Sequence, residues 1–62
     1  MDPNLNKFID FHREDIKKGN ILRAILDATS YLHMILGIDN MNQITTELAL
    51  FKEKLNEEMI NG

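Results

Sequence analysis

His12 and His33 are the side chains best suited to acid–base or metal chemistry near neutral pH in this sequence. Cysteine is absent, so no thiolate nucleophile and no zinc–thiolate site can be written. On two antiparallel helices joined by a tight turn, His12 comes level with Leu26 and Asp27, and His33 comes level with Leu5. The rings are then offset by about seven residues, or roughly 10 Å along the axis, too far to share one metal ion. Asp27 is the one polar group expected within reach of His12. Both histidines are read as packed or partly exposed structural residues. The other candidate types are no better placed. No helix carries a Glu-x-x-His pair for a di-iron centre. Ser30 and Tyr31 have no base at a useful spacing. A phosphate-cradling glycine loop and a dinucleotide fingerprint are both absent. These residues argue against an enzyme, and no cofactor or metal is expected.

The elements that carry these side chains follow from apolar spacing. Asp2 can cap the first helix, and Pro3 suits its first position. Leu5, Phe8, Ile9, His12 and Ile16 then form a narrow stripe. Lys17-Lys18-Gly19 ends it, with lysines at the negative end of the dipole and glycine for a left-handed cap. Asn20 is expected to cap a second helix, so the link is short and the two helices form an antiparallel hairpin. That register offers Asp15 and Arg23 as a salt bridge across the turn. Gly37 ends the second helix, with Ile38 expected to pack back on its last turn. Asp39 or Asn40, with Asn42 as a further candidate, caps a third helix, whose stripe is Met41, Ile44, Leu48, Phe51, Leu55 and Met59. The expected spans are 3–18, 20–36 and 40–60 of a single small domain covering 1–62.

The middle helix dominates. Ile21, Ala24, Ile25, Ala28, Tyr31, Leu32, Ile35 and Leu36 fall on one arc, which Leu22 and Leu26 extend. The arc covers roughly 220° of the circumference, against ~100° for an ordinary surface helix. Ile21, Ile25, Ala28, Leu32 and Ile35 step along it by four and three, the expected helix–helix packing seam. Such a helix needs partners on two sides. The expected fold class is therefore all-α, a three-helix up-down-up arrangement assembled as a homodimeric helical bundle. The segment Gly19-Asn20-Ile21-Leu22-Arg23-Ala24-Ile25 resembles the turn of tetratricopeptide hairpins and of the three-helix domains that bind ESCRT tails. In both, a Gly-Asn or Gly-Asp is followed by a small residue where two helices touch. The resemblance implies a tight helical hairpin and carries no function with it. The sequence departs from the ESCRT-binding pattern at Phe11, and no second repeat follows.

Composition limits the partners. The chain has 62 residues, 7 basic and 10 acidic, with a net charge of −3. That is no footprint for a phosphate backbone and no polybasic membrane patch. The central apolar stretch is interrupted by Arg23, Asp27 and His33, too often for a membrane span. No signal peptide is visible, and a cytoplasmic location is expected. Chains this short bury only about 60% of their unfolded surface and gain from a partner. Phe11, Met34 and Leu50 fall off the three stripes and are the expected partner or dimer surface. The expected function is a small non-enzymatic protein–protein interaction or regulatory module, binding a protein partner or a second copy of itself. The alternative is a small helix-turn-helix-like nucleic-acid-binding regulator. Glu47, Glu53, Glu57 and Glu58 on the presumptive reading helix would repel phosphate.

Overall fold

A computed structural model describes residues 2–61. The described chain is all-α. Its elements are α1 (Pro3–Phe11), α2 (Arg13–Lys17), α3 (Leu22–Leu36), a short 3-10 turn (Ile38–Asn40) and α4 (Met41–Asn61). Asp2 caps α1 as its residue type predicts, with its Oδ1 accepting from the Asn4 N–H at 2.8 Å and Pro3 at the first position.

The first helix is not one helix. It bends at His12, where φ −104° and ψ 19° leave the helical basin. The ladder spans the bend through His12 N–H to Phe8 C=O at 3.0 Å and Ile16 N–H to His12 C=O at 2.9 Å. α1 packs on α3, whereas α2 packs on α4. The bend is where the segment changes neighbours. A single apolar stripe running from Leu5 to Ile16 cannot show it, because the spacing is the same on both sides of the bend.

The turn between α2 and α3 corrects the reading of Asn20. Gly19 adopts φ +86°. The Gly19 N–H donates to Ile16 C=O at 2.9 Å and the Asn20 N–H to Asp15 C=O at 2.9 Å, the paired bonds of a Schellman motif. Asn20 therefore closes the preceding helix and does not cap the next. α3 opens from Ile21, with no side-chain cap. Asp15 and Arg23 form no ion pair among the described residues; the backbone carbonyl of Asp15 is occupied by the turn instead. At the far end Gly37 has φ 76° and its N–H reaches His33 C=O at 3.0 Å. Ile38 does not fold back on α3; it is exposed. Asn40 does not open the next helix by a side-chain cap. Its amide donates to Leu36 C=O at 2.5 Å, satisfying an orphan carbonyl of α3, and α4 begins at Met41.

The core is Leu5, Ile9, Ile16, Ala24, Ala28, Leu32, Ile44, Phe51 and Leu55. On α3 the innermost line is Ala24, Ala28 and Leu32, a ridge of every fourth residue. The predicted seam of Ile21, Ile25, Ala28, Leu32 and Ile35 is thus rotated: Ile21 and Ile25 are half-buried and Ile35 is exposed. Small alanines at the crossing let neighbouring helices approach and turn the bulkier Leu22 and Leu26 outward. The extents of 35 × 18 × 16 Å explain why. Two of the three dimensions are less than two helix diameters of about 10–12 Å each. A core this thin cannot surround any one helix.

Candidate functional site

The one histidine contact with catalytic-type geometry is His12 to Asp27. His12 is 9% exposed, and its Nε2 lies 2.5 Å from Asp27 Oδ2. The hydrogen bond read from the hairpin register is formed. Phe11 stands edge-on to the same imidazole, with ring centroids 5.0 Å apart. His33 is half-buried on α3. A histidine oriented by a carboxylate becomes a base only with a nucleophile or substrate beside it. Among the described residues no pocket opens on the surface, and no group of three or more His, Asp or Glu side chains could hold a metal ion. What the pair does visibly is tie α1 to α3 at the bend.

A second polar cluster ties the same helices at their other end. The Tyr31 hydroxyl donates to Asp2 Oδ2 at 3.1 Å and accepts from Asn4 Nδ2 at 2.8 Å. The Tyr31 ring meets Phe8 edge-on at 5.7 Å. Tyr31 bridges α3 to the start of α1. Arg13 joins α2 to α4 through Glu58 at 3.0 Å and to Asp10 at 2.5 Å. Hydrogen bonding to Asp10, then the charge of Glu58, raises its pKa above the ordinary arginine value. These three clusters act as clasps between helices.

The unsatisfied surface is apolar. Phe11 is 82%, Met34 76% and Leu50 41% exposed, so each sequence-predicted surface residue does face solvent. The structure does not gather all three. The contacts His12–Asp27 and Asn4–Tyr31 set the level of α1 against α3 and place Phe11 beside residues 27–28. The contacts Asp2–Glu47 and Arg13–Glu58 set α4 and place Leu50 near the level of Leu5, on another helix. Leu50 and Phe11 are then about six residues, or roughly 9 Å, apart along the axis. More exposed apolar surface lies where the sequence reading had put covered arc: Leu22 is 63% and Leu26 54% exposed. The signal was present. Both residues lie at the edge of an arc too wide for a thin bundle, about 120° and 160° from the Ala24–Ala28–Leu32 line. Ile35, Ile38 and Met41 add exposed side chains at the corner between α3 and α4.

Comparison with known protein families, with characterised proteins and with solved structures finds no match to this chain. Among the described residues no helix is long and apolar enough to cross a membrane.

Proposed function

We propose that this chain is a non-enzymatic protein–protein interaction module: an up-down-up three-helix unit, bent at His12, that works as a homodimer. The observation that carries the reading is the outward face of α3. Leu22, Leu26 and Met34 are exposed on a helix whose other side is already packed against α1 and α4. Leaving three large apolar side chains on one short helix in water forgoes roughly 1.5–3 kcal/mol for each one that burial would cover. The polar contacts His12–Asp27, Tyr31 with Asp2 and Asn4, and Arg13–Glu58 hold helices together. Exposed apolar helix faces act by completing bundles or filling grooves. The reading includes a cytoplasmic location, which a chain without cysteine suits.

Sedimentation equilibrium over a wide concentration range tests it. The expected result is a two-chain species that dissociates on dilution. A cooperatively folded monomer persisting at high concentration would overturn the reading.

A further inference from the structure

We infer that α2 is a hinged strap: it opens from the last two turns of α4 while the rest of the bundle stays folded, and it uncovers Ile16, Leu55 and Met59. Such opening needs no second copy of the chain.

A joint lies at each end of α2. His12 leaves the helical basin at φ −104° and ψ 19°, and Gly19 stands at φ +86°. Phe8 to Ile16 contains no glycine or proline to break a helix, so the bend at His12 comes from the neighbours on its two sides. α1 packs on α3 and α2 packs on α4. The other joint is open to solvent. Lys17 to Asn20 are all exposed, and a Cβ at Gly19 would meet nothing within 4 Å. Hinges are a few element-terminal residues of this kind that take up changes in φ and ψ.

The two segments that meet at the bend are held unequally. α1 buries Leu5 and Ile9. Its Phe8 ring meets Tyr31, whose hydroxyl bonds Asp2 and Asn4. The Asp2 N–H donates to Glu47, and His12 at the bend bonds Asp27. α2 buries Ile16 alone. Its side-chain bond to α4, from Arg13 to Glu58, joins two partly exposed groups, and such pairs hold weakly. A short element with one buried anchor belongs at the low-stability end of a fold.

The same bond shows what the strap covers. Between Lys52 and Ile60, only Leu55, Glu58 and Met59 are not exposed, and they share one face of α4 at spacings of three and four. Arg13 seats α2 on that face through Glu58. Leu55 is fully buried, and Met59 is partly buried against the core. Opening α2 therefore presents an apolar surface that the resting chain hides, with α3 still folded.

Native-state amide exchange of the isotope-labelled full chain, followed by NMR under conditions where the rate reports the opening equilibrium, tests this. The strap probes are the N–H groups of Ile16 and Gly19, bonded to His12 C=O and Ile16 C=O. The reference probes are Ile9 in α1 and Ala28 and Leu32 in α3. Corrected for intrinsic rates, Ile16 and Gly19 should exchange at least about tenfold faster than the references. Two conservative variants separate local from global opening. Ile44→Val removes a buried methylene near the start of α4, whose contacts are the same with the strap closed or open. It should speed the reference amides by roughly two- to tenfold and leave Ile16 and Gly19 unchanged. Ile16→Val weakens the anchor itself, and should speed Gly19 and the references by a similar factor. If Ile44→Val speeds Gly19 as much as Leu32, α2 opens only with the whole fold, and the strap is overturned. Ile9 exchanging as fast as Ile16 overturns it too, because the chain is then fraying from its N-terminus. No effect of Ile16→Val on Gly19 would remove the anchor and the strap with it.

Discussion

His12 is buried and Asp27 is half exposed, so their hydrogen bond is unequal from its two ends. Losing the histidine frees a carboxylate that turns to water. Losing the carboxylate strands a buried ring nitrogen. His12→Leu should therefore cost about 1 kcal/mol of folding stability, while Asp27→Leu should cost nearer 2 kcal/mol, because an unmade bond in the interior carries the full desolvation penalty. Urea unfolding followed by circular dichroism measures both. Equal losses, or a larger loss for His12→Leu, would show that the ring and not its hydrogen bond is what matters at the bend. The chemistry at this residue was legible in sequence through the hairpin register alone. The bend was not, since nothing in the side-chain spacing distinguishes a helix that continues from one that turns toward a new neighbour.

At the scale of elements, the turns set the geometry, and two glycines carry them. A Cβ at Gly19 or Gly37 would meet nothing within 4 Å, so the cost of a substitution is backbone conformation alone. Gly37, at φ 76° and ψ 167°, occupies a region that is essentially glycine-only. Gly19, at φ 86°, closes a Schellman turn, where left-handed geometry is strained but accessible to other residues. Gly37→Ala should lower stability by about 2–3 kcal/mol and Gly19→Ala by about 1 kcal/mol, measured by thermal or urea melts. The reverse order would mean that the α2–α3 turn, and not the α3–α4 corner, is the stiffer constraint. Both glycines announced their turns in the sequence, as did Asp2-Pro3 at the start. The caps around them did not. Asn20 and Asn40 each have the residue type of a helix start, yet both serve the helix that ends before them. Asn20 does so through its backbone N–H and Asn40 through its side-chain amide, and only the three-dimensional path decides which terminus each serves. The α3 seam was misplaced for a related reason. Periodicity gives the width of the apolar arc but not its rotation, and here two alanines, not the isoleucines, take the closest approach.

At the scale of the molecule, thinness governs what is covered. Seven large apolar side chains and two alanines form one layer of core, and the outward half of α3 has nothing to cover it within the described chain. If that face is shared between two copies, folding and assembly are linked by mass action, and the melting temperature must rise with concentration. A tenfold increase in chain concentration is worth about 1.4 kcal/mol per dimer, or about 0.7 kcal/mol per chain. For a chain of this size that corresponds to a shift of about 3–6 °C. The double variant Leu22→Ser/Leu26→Ser removes the face without touching the core, and exposed substitutions of this kind change intrinsic stability by no more than about 0.5 kcal/mol each. Its helicity should survive at low temperature. Its melting temperature should lie below that of the wild type at high concentration and should not move with dilution. Scanning calorimetry of both proteins over a hundredfold concentration range decides the matter. A concentration-independent wild-type melt would mean that the uncovered face is tolerated by a folded monomer, and a concentration-dependent melt in the double variant would move the contact to another surface.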